Sequence, residues 1–153
     1  VSEGMALWAI LFTAEAYGIW RDTIEAAPER MFGRILERFR SGADFRAHDF
    51  VAAWRSLRAL RLNWAEAVAG FDAVVLPTAP ILPPDAARLL SDDDYYVTEN
   101  LLALRNTRIG NLFGLCGVTL PTPEPSCGLS LLGLPGDERR LLRLGAAAEH
   151  ALR

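Results

Sequence analysis

The sequence predicts an α/β fold in which a mixed sheet is covered by helices, and three observations carry that expectation. Short, nearly continuous apolar runs at Ala73 to Leu76, Gly117 to Leu120 and Gly128 to Leu132 have the length and boundaries of buried strands. Long flanking stretches repeat apolar residues every three or four positions, the spacing of a helix face. With 153 residues, 51% of them hydrophobic, the chain is long enough to bury roughly 68–70% of its unfolded surface around a real core.

In chain order, Gly4 to Arg21 is apolar nearly all round and predicts a helix covered on most of its faces. Pro28 stands where a first helical turn begins, and Met31, Phe32, Ile35, Leu36 and Phe39 keep helical spacing until Ser41-Gly42. A third helix runs from about Ala47 to Ala69, with Phe50, Trp54, Leu57, Trp64 and Val68 as its core stripe and Gly70 as its stop. Its arginines Arg55, Arg58 and Arg61 flank that stripe. The run Ala73 to Leu76 reads as a strand buried on both faces. Pro77 to Thr98, with Pro80, Pro83, Pro84 and Asp92-Asp93-Asp94, reads as a long surface excursion.

The chain is organised around Asn106 to Glu138. A helix over about Glu99 to Asn106 leads into it, Asn111 to Leu115 reads as a helical turn, and two strands follow, joined by Pro121 to Cys127. Prolines in that connection cannot donate to a ladder, so the two strands are placed side by side in one sheet. Asp137 then caps a last helix that carries Leu141, Leu142, Leu144, Ala148 and Leu152. The expected organisation is one segment over residues 1–153, helical over 1–70 and strand, loop, helix, hairpin and helix over 71–153. Three strands are few for so much apolar helix. The sheet is therefore expected to be completed by another part of a parent chain or by a second copy.

A net charge of -3 argues against a nucleic-acid surface, which needs clustered basic charge. No apolar stretch suits a membrane span or a secretory leader, since Met5 to Ala16 is short and holds Glu15, so the expected setting is cytoplasmic. That setting leaves Cys116 and Cys127 as free thiols, although a bridge between the two strands is conceivable. The opening Val1-Ser2-Glu3, without a methionine, hints at a segment of something longer. All 16 basic residues are arginine, and lysine is absent. His48 and His150 stand far apart and read as ordinary histidines, Cys116 as an inert buried thiol, and the Asp92 run as a solvated loop without calcium-site spacing. No metal site is expected.

Three stretches taken together, FDAVVLPTAPILPP, NTRIGNLFGLCGVTLPTP and CGLSLLGLPGDERRLLRLGAAAEHAL, resemble the C-terminal part of amidase-signature enzymes. Glu15-Ala16, Pro28, Arg34, Gly42, Asp49-Phe50 and Ala53 agree with the same family's helical layout, so the similarity covers almost the whole chain. The resemblance implies an incomplete C-terminal part of that fold. It also implies hydrolysis of amide C–N bonds by a serine nucleophile, a second serine and a lysine base, without a cofactor. None of those three groups maps here: Ser126 and Ser130 have no base in the sequence beside them, and a serine hydroxyl needs one. No catalytic residue is therefore carried over.

What does carry over is a pocket wall. In the family the segment matching Asn106 to Cys116 runs near the acyl-side pocket, which makes Asn106, Thr107 and Asn111 the substrate-pocket candidates. Arg105 or Arg108 would serve an acidic substrate. Asparagines at such positions also cap or turn the backbone. The expected function is thus the C-terminal part of an amidase-signature hydrolase, supplying sheet core and one wall of the substrate pocket and inactive alone. The expected partners are the remainder of the parent chain or a second copy, and a small amide is the parent's substrate. The alternatives are a non-catalytic binding or dimerisation module, or part of a fold like the amidotransferase A subunit or a urea-derivative hydrolase.

Overall fold

The computed structural model describes residues 1–152. In order these form α1 (Ser2–Ala6), α2 (Trp8–Ala26), α3 (Gly33–Arg40), α4 (Ala47–Val68), β1 (Val74–Pro77), α5 (Ala86–Ser91), α6 (Asp93–Ala103), α7 (Thr107–Phe113), β2 (Cys116–Pro121), β3 (Gly128–Gly133) and α8 (Glu138–Leu152). Single 3-10 turns at Pro28–Arg30 and Ser41–Asp44 flank α3. The chain divides into two compact units, the first Val1–Leu62 and the second from Asn63 onward.

In the first unit α2 packs on α3 and on the turn after it. Gly42 in that turn is buried so close to α2 that an added Cβ would lie 2.1 Å from the Thr13 carbonyl oxygen. Trp8 stacks on Phe12 at 5.0 Å, and Phe12 meets Phe39 edge-on at 5.8 Å. A forked ion pair joins α2 to α3, with Arg40 donating from Nε (2.9 Å) and Nη2 (2.6 Å) to the two Glu25 carboxylate oxygens. The expectation that the first long helix is covered on most faces does not hold. Only Leu11, Thr13 and Ile24 of α2 are buried, while Ile19 and Trp20 stand in the open. In α4, Ala53 and Leu57 are buried, and Arg61 lies over the ring of the stripe residue Trp54 at 5.5 Å.

The second unit holds the sheet, in the order β1-β3-β2. The β2–β3 hairpin expected from sequence is present, with Thr119 opposite Ser130 and Leu120 opposite Leu129. Strand β1 pairs on the far side of β3, with Leu76 also opposite Ser130. Both pairings are antiparallel, so of the expected mixed sheet these residues form the antiparallel part. One face carries Leu120 and Leu131, which close with Leu141 of α8 into a buried cluster to which Val118, Ala148 and Leu152 add. Each fully buried leucine there contributes roughly 1.5–3 kcal/mol. Gly145 lets α8 approach, since a Cβ at that point would lie 3.2 Å from Val118.

Strand β1 departs from the expectation of burial on both faces. Val75 is 56% exposed, because β1 is the outer strand on its side and α8 packs on β2 and β3. The expected excursion from Pro77 to Thr98 contains α5 and the start of α6. Its aspartates build those helices: Asp85 accepts from the Arg88 N–H at 2.7 Å and Asp92 from the Tyr95 N–H at 2.9 Å, so each is an N-cap. The Tyr95 N–H, then the Arg88 guanidinium, hold the Asp92 carboxyl below its usual value. Asp93 and Asp94 fill the first turn of α6, where the helix dipole favours acidic groups. Consequently α6 starts earlier and ends sooner than the helix expected over Glu99 to Asn106, and the turn expected at Asn111 to Leu115 is the end of α7. Gly114 closes α7 in the left-handed region (φ 67°), a conformation that costs glycine nothing.

Candidate functional site

A cavity of about 210 Å³ lies between α7 and the sheet face opposite α8. Asn106, Thr107 and Asn111 all line it, and Thr78, Thr119 and Ser130 line it from the sheet side. Local geometry explains the first group. Thr107 and Asn111 are four residues apart on α7 and share a helix face, and Asn106 immediately precedes that helix. The Asn106 side chain is buried and donates from Nδ2 to the Pro77 carbonyl at 2.7 Å, tying the start of α7 to the end of β1. Thr107 donates its hydroxyl to the Leu104 carbonyl at 3.1 Å, and Asn111 is exposed at the cavity's edge.

The sheet side is a line of three hydroxyls, Thr119 on β2, Ser130 on β3 and Thr78 just after the end of β1. Ser130 Oγ lies 2.9 Å from Thr78 Oγ1 and 3.0 Å from Thr119 Oγ1, so one hydroxyl on β3 is hydrogen-bonded on both sides. Ser130 is itself buried. Sequence reasoning set these residues aside because it weighed serines as nucleophiles. The available signal was a hydroxyl at an inward position of two otherwise apolar runs, Thr119 and Ser130, which antiparallel pairing brings opposite each other.

The remaining candidates lie elsewhere. Arg108 is buried but does not line the cavity, and Arg105 donates from Nε to the Asn106 Oδ1 at 3.5 Å. His48 and His150 are both exposed. Both cysteines are free; Cys116 Sγ donates to the Leu134 carbonyl at 3.2 Å, and Cys127 is exposed at the other end of the hairpin. Among the described residues no cluster of three His, Cys, Asp or Glu could hold a metal, and no helix is long and apolar enough to cross a membrane.

No family model matches the chain. Individual relatives do. The chain is 37% identical over 82 residues to the 2-amino-5-chloromuconic acid deaminase of Comamonas testosteroni, a match covering 51% of this chain and 18% of that one. It is 32% identical over 112 residues to the fatty acid amide hydrolase of Oryza sativa subsp. indica, covering 69% of this chain and again 18% of the relative. A solved structure described as a crystal structure of amidase superposes on 98% of this chain with a TM-score of 0.80 at 23% identity, using 36% of its own length. The chain belongs with the amidases.

As an amidase segment it is short: its match spans less than a fifth of those curated relatives and just over a third of the solved amidase. The superposition covers both units, so the helical N-terminal unit and the sheet unit each have a counterpart in the amidase fold.

Proposed function

We propose that this amidase segment forms one wall of the substrate pocket of an enzyme that cleaves amide C–N bonds, with the nucleophile and base supplied from outside these residues. The observation that carries this reading is the cavity in which Asn106, Thr107 and Asn111 face the hydroxyls of Thr78, Ser130 and Thr119. A carboxamide presents two N–H donors beside a carbonyl acceptor, and side-chain amides with hydroxyls are groups that answer both. A relative named as a fatty acid amide hydrolase supports an amide substrate.

Titration with acetamide, followed by the side-chain NH2 resonances of Asn106 and Asn111, tests the pocket. Saturable shifts at both are expected; shifts at neither overturn the reading. Catalysis by the chain alone is not expected, because among the described residues the Ser130 hydroxyl is hydrogen-bonded to two hydroxyls, and those are no base near neutral pH. Ammonia release from primary amides should stay at the buffer rate. Turnover abolished by Ser126→Ala, Ser130→Ala or Cys116→Ala would instead make the chain an independent hydrolase. The outer edges of β1 and β2, which pair with nothing among the described residues, support a partner strand from the rest of an amidase chain or from a second copy.

A further inference from the structure

We propose that Asn106 and Thr78 together hold one uncharged acceptor oxygen, so that an amide enters the cavity with its carbonyl inward and its NH2 group toward the open edge. This inference rests on the pocket reading above and fixes which end of the amide the pocket reads. Asn106 is 8% exposed, and one of its two Nδ2 protons is spent on the Pro77 carbonyl at 2.7 Å. Its Oδ1 accepts from Arg105 Nε. The second Nδ2 proton has no acceptor among the described residues, and the side chain lines the cavity. A buried donor without an acceptor is costly, which favours a ligand oxygen beside it.

The second donor comes from the hydroxyl row. Thr78, Ser130 and Thr119 bring three protons to two hydrogen bonds, of 2.9 and 3.0 Å, so one proton is always left over. The two ends of the row differ in their surroundings. Ser130 in the middle is 7% exposed, Thr119 stands in the open, and Thr78 is half-buried. Water can donate to Thr119, which then donates to Ser130, and Ser130 to Thr78. That order leaves the Thr78 proton for a ligand, and bonds aligned in one direction polarise one another. Thr78 directly follows Pro77, whose carbonyl anchors Asn106, so both donors are fixed at the end of β1. The Thr78 N–H donates to the Gly128 carbonyl at 2.8 Å and holds that backbone in place. No charged residue lines the cavity, which suits a neutral carbonyl oxygen. Asn111, exposed at the edge, offers its own side-chain carbonyl to the NH2 group.

The test uses the full chain with acetamide and thioacetamide, which carry the same NH2 donors but differ in acceptor, sulfur being the weaker. Both titrations are followed by the side-chain NH2 resonances of Asn106 and Asn111. Acetamide should shift one Asn106 proton, the one not on Pro77, more than the other. Thioacetamide should bind about two- to tenfold more weakly, the worth of one neutral hydrogen bond. Thr78→Val should weaken acetamide by about the same factor and leave thioacetamide unchanged, and Thr78→Ser, which keeps the hydroxyl, should retain acetamide affinity. If acetamide shifts both asparagines but thioacetamide binds as tightly, the inward carbonyl is overturned while the pocket stands. That comparison needs no variant, so it decides even if Thr78→Val fails to fold. A folded Thr78→Val with unchanged acetamide affinity would likewise overturn the Thr78 donor. If acetamide shifts neither side chain, both readings fall.

Discussion

The side chain of Asn106 holds the carbonyl of Pro77, 29 residues earlier in the chain, at 2.7 Å. That bond fixes the start of α7 against the end of β1 and so sets the width of the cavity between helix and sheet. Asn106→Ala is expected to cost about 1 kcal/mol, the net worth of a neutral hydrogen bond. Asn106→Asp should cost more, because a carboxylate would face the Pro77 carbonyl with no proton to donate. Urea denaturation of the two variants checks the order.

The hydrogen-bonded hydroxyls of Thr78, Ser130 and Thr119 should behave as one coupled unit. Ser130→Ala removes both of its bonds, and a loss of about 1–2 kcal/mol is expected. In a double-mutant cycle with Thr119→Val, the coupling should be on the order of 0.5–1 kcal/mol. Additive losses would mean that the hydroxyls are neighbours without mutual stabilisation.

Two glycines in the first unit should respond oppositely to alanine. At Gly42 the new methyl would strike the Thr13 backbone at 2.1 Å, so Gly42→Ala is expected to destabilise by about 1–3 kcal/mol or more. At Gly18, inside α2, nothing lies within 4 Å, and Gly18→Ala should stabilise by roughly 0.5–1 kcal/mol through helix propensity. Thermal melts followed by circular dichroism distinguish the two.

Acid should loosen the tie between α2 and α3. The Arg40 guanidinium, with a smaller contribution from the Tyr17 hydroxyl, lowers the Glu25 carboxyl from the ordinary 4.5 to about 2. Because the folded value is depressed, the pair's stabilisation is present above pH 4.5 and is lost as the pH falls toward 2. Salt screens so exposed a pair, so the effect should shrink at high ionic strength. A carboxyl-carbon NMR titration of Glu25 should report the low value, and Arg40→Gln should return it to the ordinary range.

By itself the sequence determined the elements whose cause is local. The three apolar runs are strands, the proline-rich connection joins neighbouring strands, and the capping residues and glycines bound the helices near where they do in the structure. Thr107 and Asn111, expected on either side of a break between a helix ending at Asn106 and a turn beginning at Asn111, share a face because α7 runs through both. Tertiary structure alone decided what depends on pairing across distance. That β3 lies between β1 and β2, with both neighbours antiparallel, follows from strand pairing that no local pattern encodes. This pairing aligns Thr78, Ser130 and Thr119, the first two 52 residues apart. The same pairing makes β1 an outer strand and leaves Val75 open, because an apolar run has the same composition whether one face is covered or two. The aspartates at 92 to 94 were equally ambiguous: as charges they suit a solvated loop, and only the Tyr95 N–H meeting Asp92 makes them the start of a helix.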